Sequence, residues 1–347
     1  MIDFRYHIVS LISVFLALAV GIALGAGPLK ETIGDTLTGQ VQALRAEKET
    51  LRAEADVANA DLQNATTYIE AAAPQLLSGA LAERRVAVIA LGEVTEEEVD
   101  GVEAQLTAAG AQVSGVVTLT EAWTDPGLRS FRQALVGTLV EYLDPVPADD
   151  TGTDAELAIA LVQALTGANP QAPNEFSEPA TVLLELLSVD EKPLLTGADS
   201  VTAPADAIVV LTPQGANDDD QAVDEDEAAA VASAQLAVLT AAQDGSEGAV
   251  LADAGTSTTS LTSLVLADDT LAETITTVSG TDEVAGQVTV PLALNARIAG
   301  VNGHYGFAEG ETTVPTKVAL TPVDRTPQPV TPDGVADDPA APDGAAG

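Results

Sequence analysis

The 347-residue chain contains no cysteine. Disulfides, zinc–thiolate sites, iron–sulfur clusters and a cysteine nucleophile are therefore excluded. Its single methionine is Met1, and its only histidines are His7 and His304. Aromatic residues make up only 3% of the chain. With 46% hydrophobic residues in total, the core must be aliphatic. Positive charge is also scarce. Thirteen Lys and Arg face 53 Asp and Glu, for a net charge of −40, and only Lys30, Lys48, Lys192 and Lys317 are lysines. Such a field repels phosphate backbones and excludes nucleic acid as a partner. It keeps the surface hydrated and draws cations towards it. Catalytic signatures are missing as well. No GxGxxG follows the first strand pattern, no Walker A motif occurs, and there is no nucleophile elbow. With His7 beside the apolar N-terminal run, only His304 is left, which is little for a histidine-based triad to build on. The residues give no reason to expect an enzyme.

What the chain has begins with an apolar run. Residues 8–26 carry no charge, and Ser10 and Ser13 are their only polar side chains. Nineteen helical residues span about 28 Å, enough for the hydrocarbon core of a bilayer. A buried core helix of this length would show one polar stripe, which is absent here. Residues 1–27 are expected to form a membrane anchor helix, with residues 8–26 in the lipid. A cleaved signal peptide is the competing reading, since Ala23-Leu24-Gly25 offers small residues suited to cleavage. The long apolar run and the poor basic flank (Arg5 against Asp3) favour a retained, single-pass anchor. Arg5 inside against Lys30 outside is the orientation expected from the positive-inside rule, which puts the soluble part beyond the cytoplasm, and the acidic, Lys-poor remainder fits translocation. Ala17, Gly21 and Gly25 repeat at the four-residue spacing that lets membrane helices approach closely.

Gly27-Pro28 interrupts this helix, and a second periodic pattern follows. Leu37, Val41, Leu44, Lys48, Leu51, Ala55, Ala58, Leu62, Ala65 and Ile69 alternate in steps of four and three, the heptad seam of a coiled coil. Residues 28–74 are read as this coiled coil, ending at Ala71-Ala72-Ala73-Pro74. Residues 32–72 are expected to drive homo-oligomerisation. The alternative is an amphipathic helix packed on its own domain.

From Arg84 short apolar runs alternate with helical ones. Val86–Leu91, Gln112–Leu119, Ala207–Leu211, Gly248–Leu251 and Thr274–Val278 read as strands. Helical stretches cover 128–143, 154–165, 179–187, 228–242 and 286–299, and Thr95 with Glu96–Glu98 caps an earlier one. Residues 83–306 are therefore expected to form an α/β domain, a mostly parallel sheet with helices on both faces. Ligands in such sheets sit beyond the carboxyl ends of the strands. Loops expected there are 92–95, 212–215, 253–257 and 279–282. Asp253, Thr256, Ser257 and Asp282 are the candidate binding residues, and a helix cap plus turn is the plainer account of them. His304 is the one candidate metal ligand outside the N-terminal segment. The acidic run 218–227 lacks the spacing and glycine of a calcium loop and reads as a solvated helix start. Residues 307–347, with seven prolines from Pro315 to Pro342, read as a disordered tail.

Two stretches carry a resemblance. The opening FRYHIVSLISVFLALAVGIALGAG, followed by a coiled coil, resembles the start of the actinobacterial copper transport protein B (MctB) family. Gly286–Leu294 with Gly303-His304-Tyr305-Gly306 resembles that family's late G-R-V-x-x-x-x-A-L and G-x-Y-G signatures, Gln287 standing at the arginine position. The resemblance implies copper homeostasis in the cell envelope, and it alone brings copper in; the residues themselves identify no cofactor. Cu(I) prefers thiolate and thioether ligands, and beyond Met1 this chain has neither. A β-barrel pore would need many alternating strands of about ten residues. A second expectation from the residues alone is a membrane-tethered scaffold that binds a cell-envelope partner.

Overall fold

The computed structural model describes residues 4–26, 28–189, 191–213, 225–254 and 260–329. The chain divides into two compact units, residues 1–67 and 68–347.

The first unit is helical. α1 (Phe4–Ala26) contains a 22-residue stretch, Phe4–Gly25, long and apolar enough to cross a membrane. Its large side chains, Leu11, Phe15 and Ile22 among them, are exposed. α2 (Pro28–Leu77) begins in this unit and ends in the second. Its seam residues Leu37, Leu44, Leu51 and Leu62 are 55%, 63%, 58% and 56% exposed in the single chain.

The second unit holds the remaining elements. In chain order these are β1 (Arg85–Ala90), α3 (Glu96–Ala108), β2 (Gln112–Leu119), α4 (Arg129–Leu139) and α5 (Thr153–Thr166). A small hairpin, β3 (Ala168–Asn169) with β4 (Ala172–Phe176), leads to α6 (Glu178–Leu187) and β5 (Leu195–Thr196). Then come β6 (Ala207–Thr212), α7 (Glu225–Asp244), β7 (Ala249–Asp253), α8 (Leu261–Ala267), α9 (Asp269–Thr274), β8 (Thr276–Ser279), α10 (Val284–Ile298) and β9 (His304–Tyr305).

The main sheet has the order β5-β2-β1-β6-β7-β8-β9. Every pairing is parallel except the edge pair β2–β5. Buried on both faces, the strands alternate between two cores rather than between core and water. Val86 and Val88 of β1 join Val209, Leu211, Val250, Ala252 and Val278 against α3, α10 and the end of α2. Ala87 and Ile89 join Ile208, Val210 and Leu251 against α4 to α8. The expected α/β fold is what forms, and its five expected strands correspond to β1, β2, β6, β7 and β8. The β1–β6 neighbour pair is the point where the strand order reverses.

Two expectations need correction. α2 does not stop at Pro74 but runs on to Leu77. Proline there forfeits one backbone bond, and burial outweighs it. Ala73 and Leu77 are almost wholly buried against the sheet. The Lys317 ammonium also donates to the carbonyls of Leu76 and Ser78 at 3.1 and 3.2 Å, serving the orphan acceptors of the helix end. The second correction concerns the tail. Residues 308–329 lie as a strap on the domain, where disorder from residue 307 was expected. Val318 bonds Asn295, Arg84 donates to the Thr321 carbonyl, Arg325 pairs with Asp206, and Gln328 N donates to the Pro170 carbonyl. Proline-rich chain is ordered here because specific partners hold it, and proline lowers the entropy lost on doing so. The remaining part of the expected tail, 330–347, lies outside the described residues.

Candidate functional site at the carboxyl edge of the sheet

Parallel register sets Thr212, Asp253 and Ser279 side by side across β6, β7 and β8. Period-2 alternation makes all three point to the face that α8 covers. Asp253 is buried, and both its oxygens are engaged. The Thr212 hydroxyl donates to Oδ1 at 2.8 Å, and the Thr262 amide at the start of α8 donates to Oδ2 at 3.0 Å. Asp253 is thus the strand-end carboxylate that holds β6 and α8 together. At the outer end of the row the Ser279 hydroxyl donates to Glu311 Oε2 at 2.8 Å, which also accepts from the Ala308 amide at 2.9 Å.

On the opposite face lies Glu98, a residue that sequence reasoning passed over. In the chain it is one of three adjacent glutamates in a helix first turn, with nothing to single it out. In the fold Thr95 caps α3 by accepting from the Glu98 amide at 3.3 Å, which turns the Glu98 side chain inwards to 5% exposure. Its Oε1 accepts from the Thr281 hydroxyl at 3.2 Å. Burial raises its pKa above the usual carboxylate value, the nearby charges of Asp282 and Asp253 raise it further, and the Thr281 bond opposes them. Thr281 in turn donates its amide to the Asp253 carbonyl at 3.3 Å and accepts from Gln287 Nε2 at 3.2 Å. Gln287 packs directly on Gly101 of α3, where any side chain on the glycine would collide with it. Asp253 and Thr281 therefore link the polar groups of the two faces.

Of the expected site residues, Asp253 lies in this network and Asp282 sits exposed beside it. Thr256 and Ser257 lie outside the described residues, as does most of the acidic run 218–227. His304 lies on β9 opposite Thr277. Its Nε2 is 3.1 Å from the Ala272 carbonyl, and its Nδ1 is 3.0 Å from the Thr277 hydroxyl. A carbonyl only accepts, so Nε2 donates to it, and Nδ1 shares a hydrogen bond with the Thr277 hydroxyl. Both ring nitrogens are spoken for. Among the described residues no three His, Asp or Glu side chains come together closely enough to hold a metal ion.

Next to the reversal point, a cavity of about 490 Å³ opens at the carboxyl ends of β1 and β2, lined by Gly92, Glu93, Thr120 and Lys192. Gly92 adopts φ 153° where the chain passes Pro213, a conformation that favours glycine.

Comparison with known proteins gives one consistent answer. The family described as "Copper transport outer membrane protein, MctB" matches residues 1–316. Relatives named copper transporter MctB from Mycobacterium tuberculosis and Mycobacterium bovis are each 30% identical over 331 residues, covering 90% of this chain and 99% of theirs. The protein of that name from Mycobacterium leprae is 28% identical over 329 residues, with the same coverage.

Proposed function

The chain belongs to the MctB family, and on that premise we propose that it serves copper homeostasis as a membrane-anchored protein of the cell envelope. Its location at a membrane follows from the family together with α1. In this reading α1 is retained as a single span, and the α/β domain stands outside the cytoplasm. Residues 32–72 bring copies together through the heptad seam. The support for self-association is the seam itself, whose leucines are more than half exposed in the single chain. Catalysis has no place in this reading.

The observation that shapes the mechanism is the state of His304. With its nitrogens bound to Ala272 and Thr277, and with no soft donor after Met1, the described residues of the α/β domain offer copper no preformed tight site. Copper is then handled through the assembly or through a partner. The scaffold reading differs in one respect only: the partner it tethers has no part in copper handling. Cellular copper in a strain lacking the gene separates them. Altered copper content supports the homeostasis role, and unchanged content with unchanged copper sensitivity supports the scaffold.

A further inference from the structure

Arg132 is 5% exposed, yet no carboxylate pairs with it among the described residues. One terminal nitrogen donates to the carbonyls of Ala122 at 3.0 Å and Asp125 at 2.7 Å. Its Nε is buried with no hydrogen-bond partner among the described residues. A buried guanidinium with an unused donor is costly, because the desolvation of that group is not offset. Arg132 lines a cavity of about 250 Å³ that also receives Arg129, Thr124 and Thr153.

Two further features of this cavity favour negative charge. Arg129 opens α4 and Arg132 follows one turn later, so two like charges sit at i and i+3 at the positive end of a helix. Helix stability alone disfavours both placements. The cavity also meets the first turn of α5, a 14-residue helix whose N-cap is Gly152, with no side chain to satisfy the amides there. Asp154 is the one acid among the described residues of the lining, and no ion pair within 4 Å joins it to either arginine. In a chain with 53 acids and 13 bases, two arginines on one small cavity are an uncommon commitment.

We infer that this cavity binds a small oxyanion of the phosphate type, held by Arg132, Arg129 and the start of α5. The free ion and the same group on an organic carrier share this chemistry. The inference is independent of the copper reading and survives its failure.

The test is calorimetric titration of the detergent-solubilised full chain with inorganic phosphate, with chloride holding ionic strength constant. One saturable site with a dissociation constant of about 1 mM or tighter is expected. Phosphate should also raise the unfolding temperature in proportion to occupancy. Arg129→Gln, at an exposed side chain, removes a charge that the start of α4 disfavours, so it should leave the unliganded unfolding temperature unchanged or slightly raised and weaken phosphate binding by about tenfold, the loss of one charge-assisted bond. Arg132→Lys should weaken it similarly, and if that variant does not fold, the Arg129→Gln comparison decides alone. A parallel titration with glycerol 3-phosphate identifies the source: tighter binding than phosphate points to an ester, weaker binding to the free ion, and either supports the site. Absence of saturable binding, or equal affinity in Arg129→Gln, would overturn the proposal, because a merely structural Arg132 predicts no response to phosphate.

Discussion

Asn295 and Val318 hold each other by a reciprocal pair of hydrogen bonds: the Val318 amide donates to Asn295 Oδ1 at 2.7 Å, and Asn295 Nδ2 donates to the Val318 carbonyl at 2.9 Å. The same Nδ2 donates to the Ala80 carbonyl at 2.7 Å, and the side chain is fully buried. One amide thus joins α10, the strap and the turn that follows α2. Replacing it leaves an amide and two carbonyls without this partner. Asn295→Leu should cost about 2–4 kcal/mol, since each buried group left unsatisfied costs 1–3 kcal/mol and some will find water. Chemical denaturation of the solubilised protein measures it. A loss below about 0.5 kcal/mol would show that the strap contributes little to the fold.

Glu98 predicts a pH dependence. Its pKa is raised in the folded protein above the unfolded value, chiefly by burial. A group with a raised folded pKa contributes stability that is fully present below its unfolded pKa and is lost as pH rises through the folded one. Above that window the buried carboxylate is a burden. Glu98→Gln keeps an acceptor for Thr281 and removes the charge, so it should raise the unfolding temperature at neutral pH. In acid the advantage should vanish. An equal effect at both pH values would remove titration of Glu98 as the cause.

Much of this was legible in the chain, for identifiable reasons. Uncharged residues 8–26 and the 4-3 seam announce their helices by period alone, and runs such as Val86–Leu91 and Ala207–Leu211 announce buried parallel strands. Asp253 could be picked out because it follows a strand and precedes small residues. Glu98 could not, because its importance comes from Thr281, which lies 183 residues away. Two-residue strands such as β5 and β9 carry no pattern to read, being stretches of edge that pair with a strand already formed. The strap was misread because proline-rich composition speaks only to local propensity. Arg84 and Asp206, which help to hold it, lie 237 and 119 residues from their partners in sequence.

Self-association can be tested at the seam. Leu44 and Leu51 stand one heptad apart and are more than half exposed. Changing both to Asp places four charges in the seam of a dimer and should give a monomer when a soluble fragment of residues 30–329 is sedimented. The unaltered fragment should sediment as an oligomer. Should it already be monomeric, the seam does not drive association between copies.

His304 gives a metal prediction. Titration of the same fragment with Cu(II), and with Cu(I) under a competing chelator, should reveal weak binding without discrete stoichiometry. His304→Ala should leave that binding unchanged and cost about 1 kcal/mol of stability for its lost hydrogen bonds. A single submicromolar site removed by the substitution would make the Gly303–Gly306 segment a copper site after all.

The central claim is that the protein acts in copper homeostasis through its assembly rather than through a tight site of its own. Its most direct test is cellular copper, measured by elemental analysis in a strain lacking the gene and complemented with defined variants. Copper content should change on deletion and return to normal with the unaltered gene and with His304→Ala. It should stay abnormal with the Leu44→Asp, Leu51→Asp variant. Copper content that is indifferent to deletion, or that the seam variant restores in full, would contradict the account.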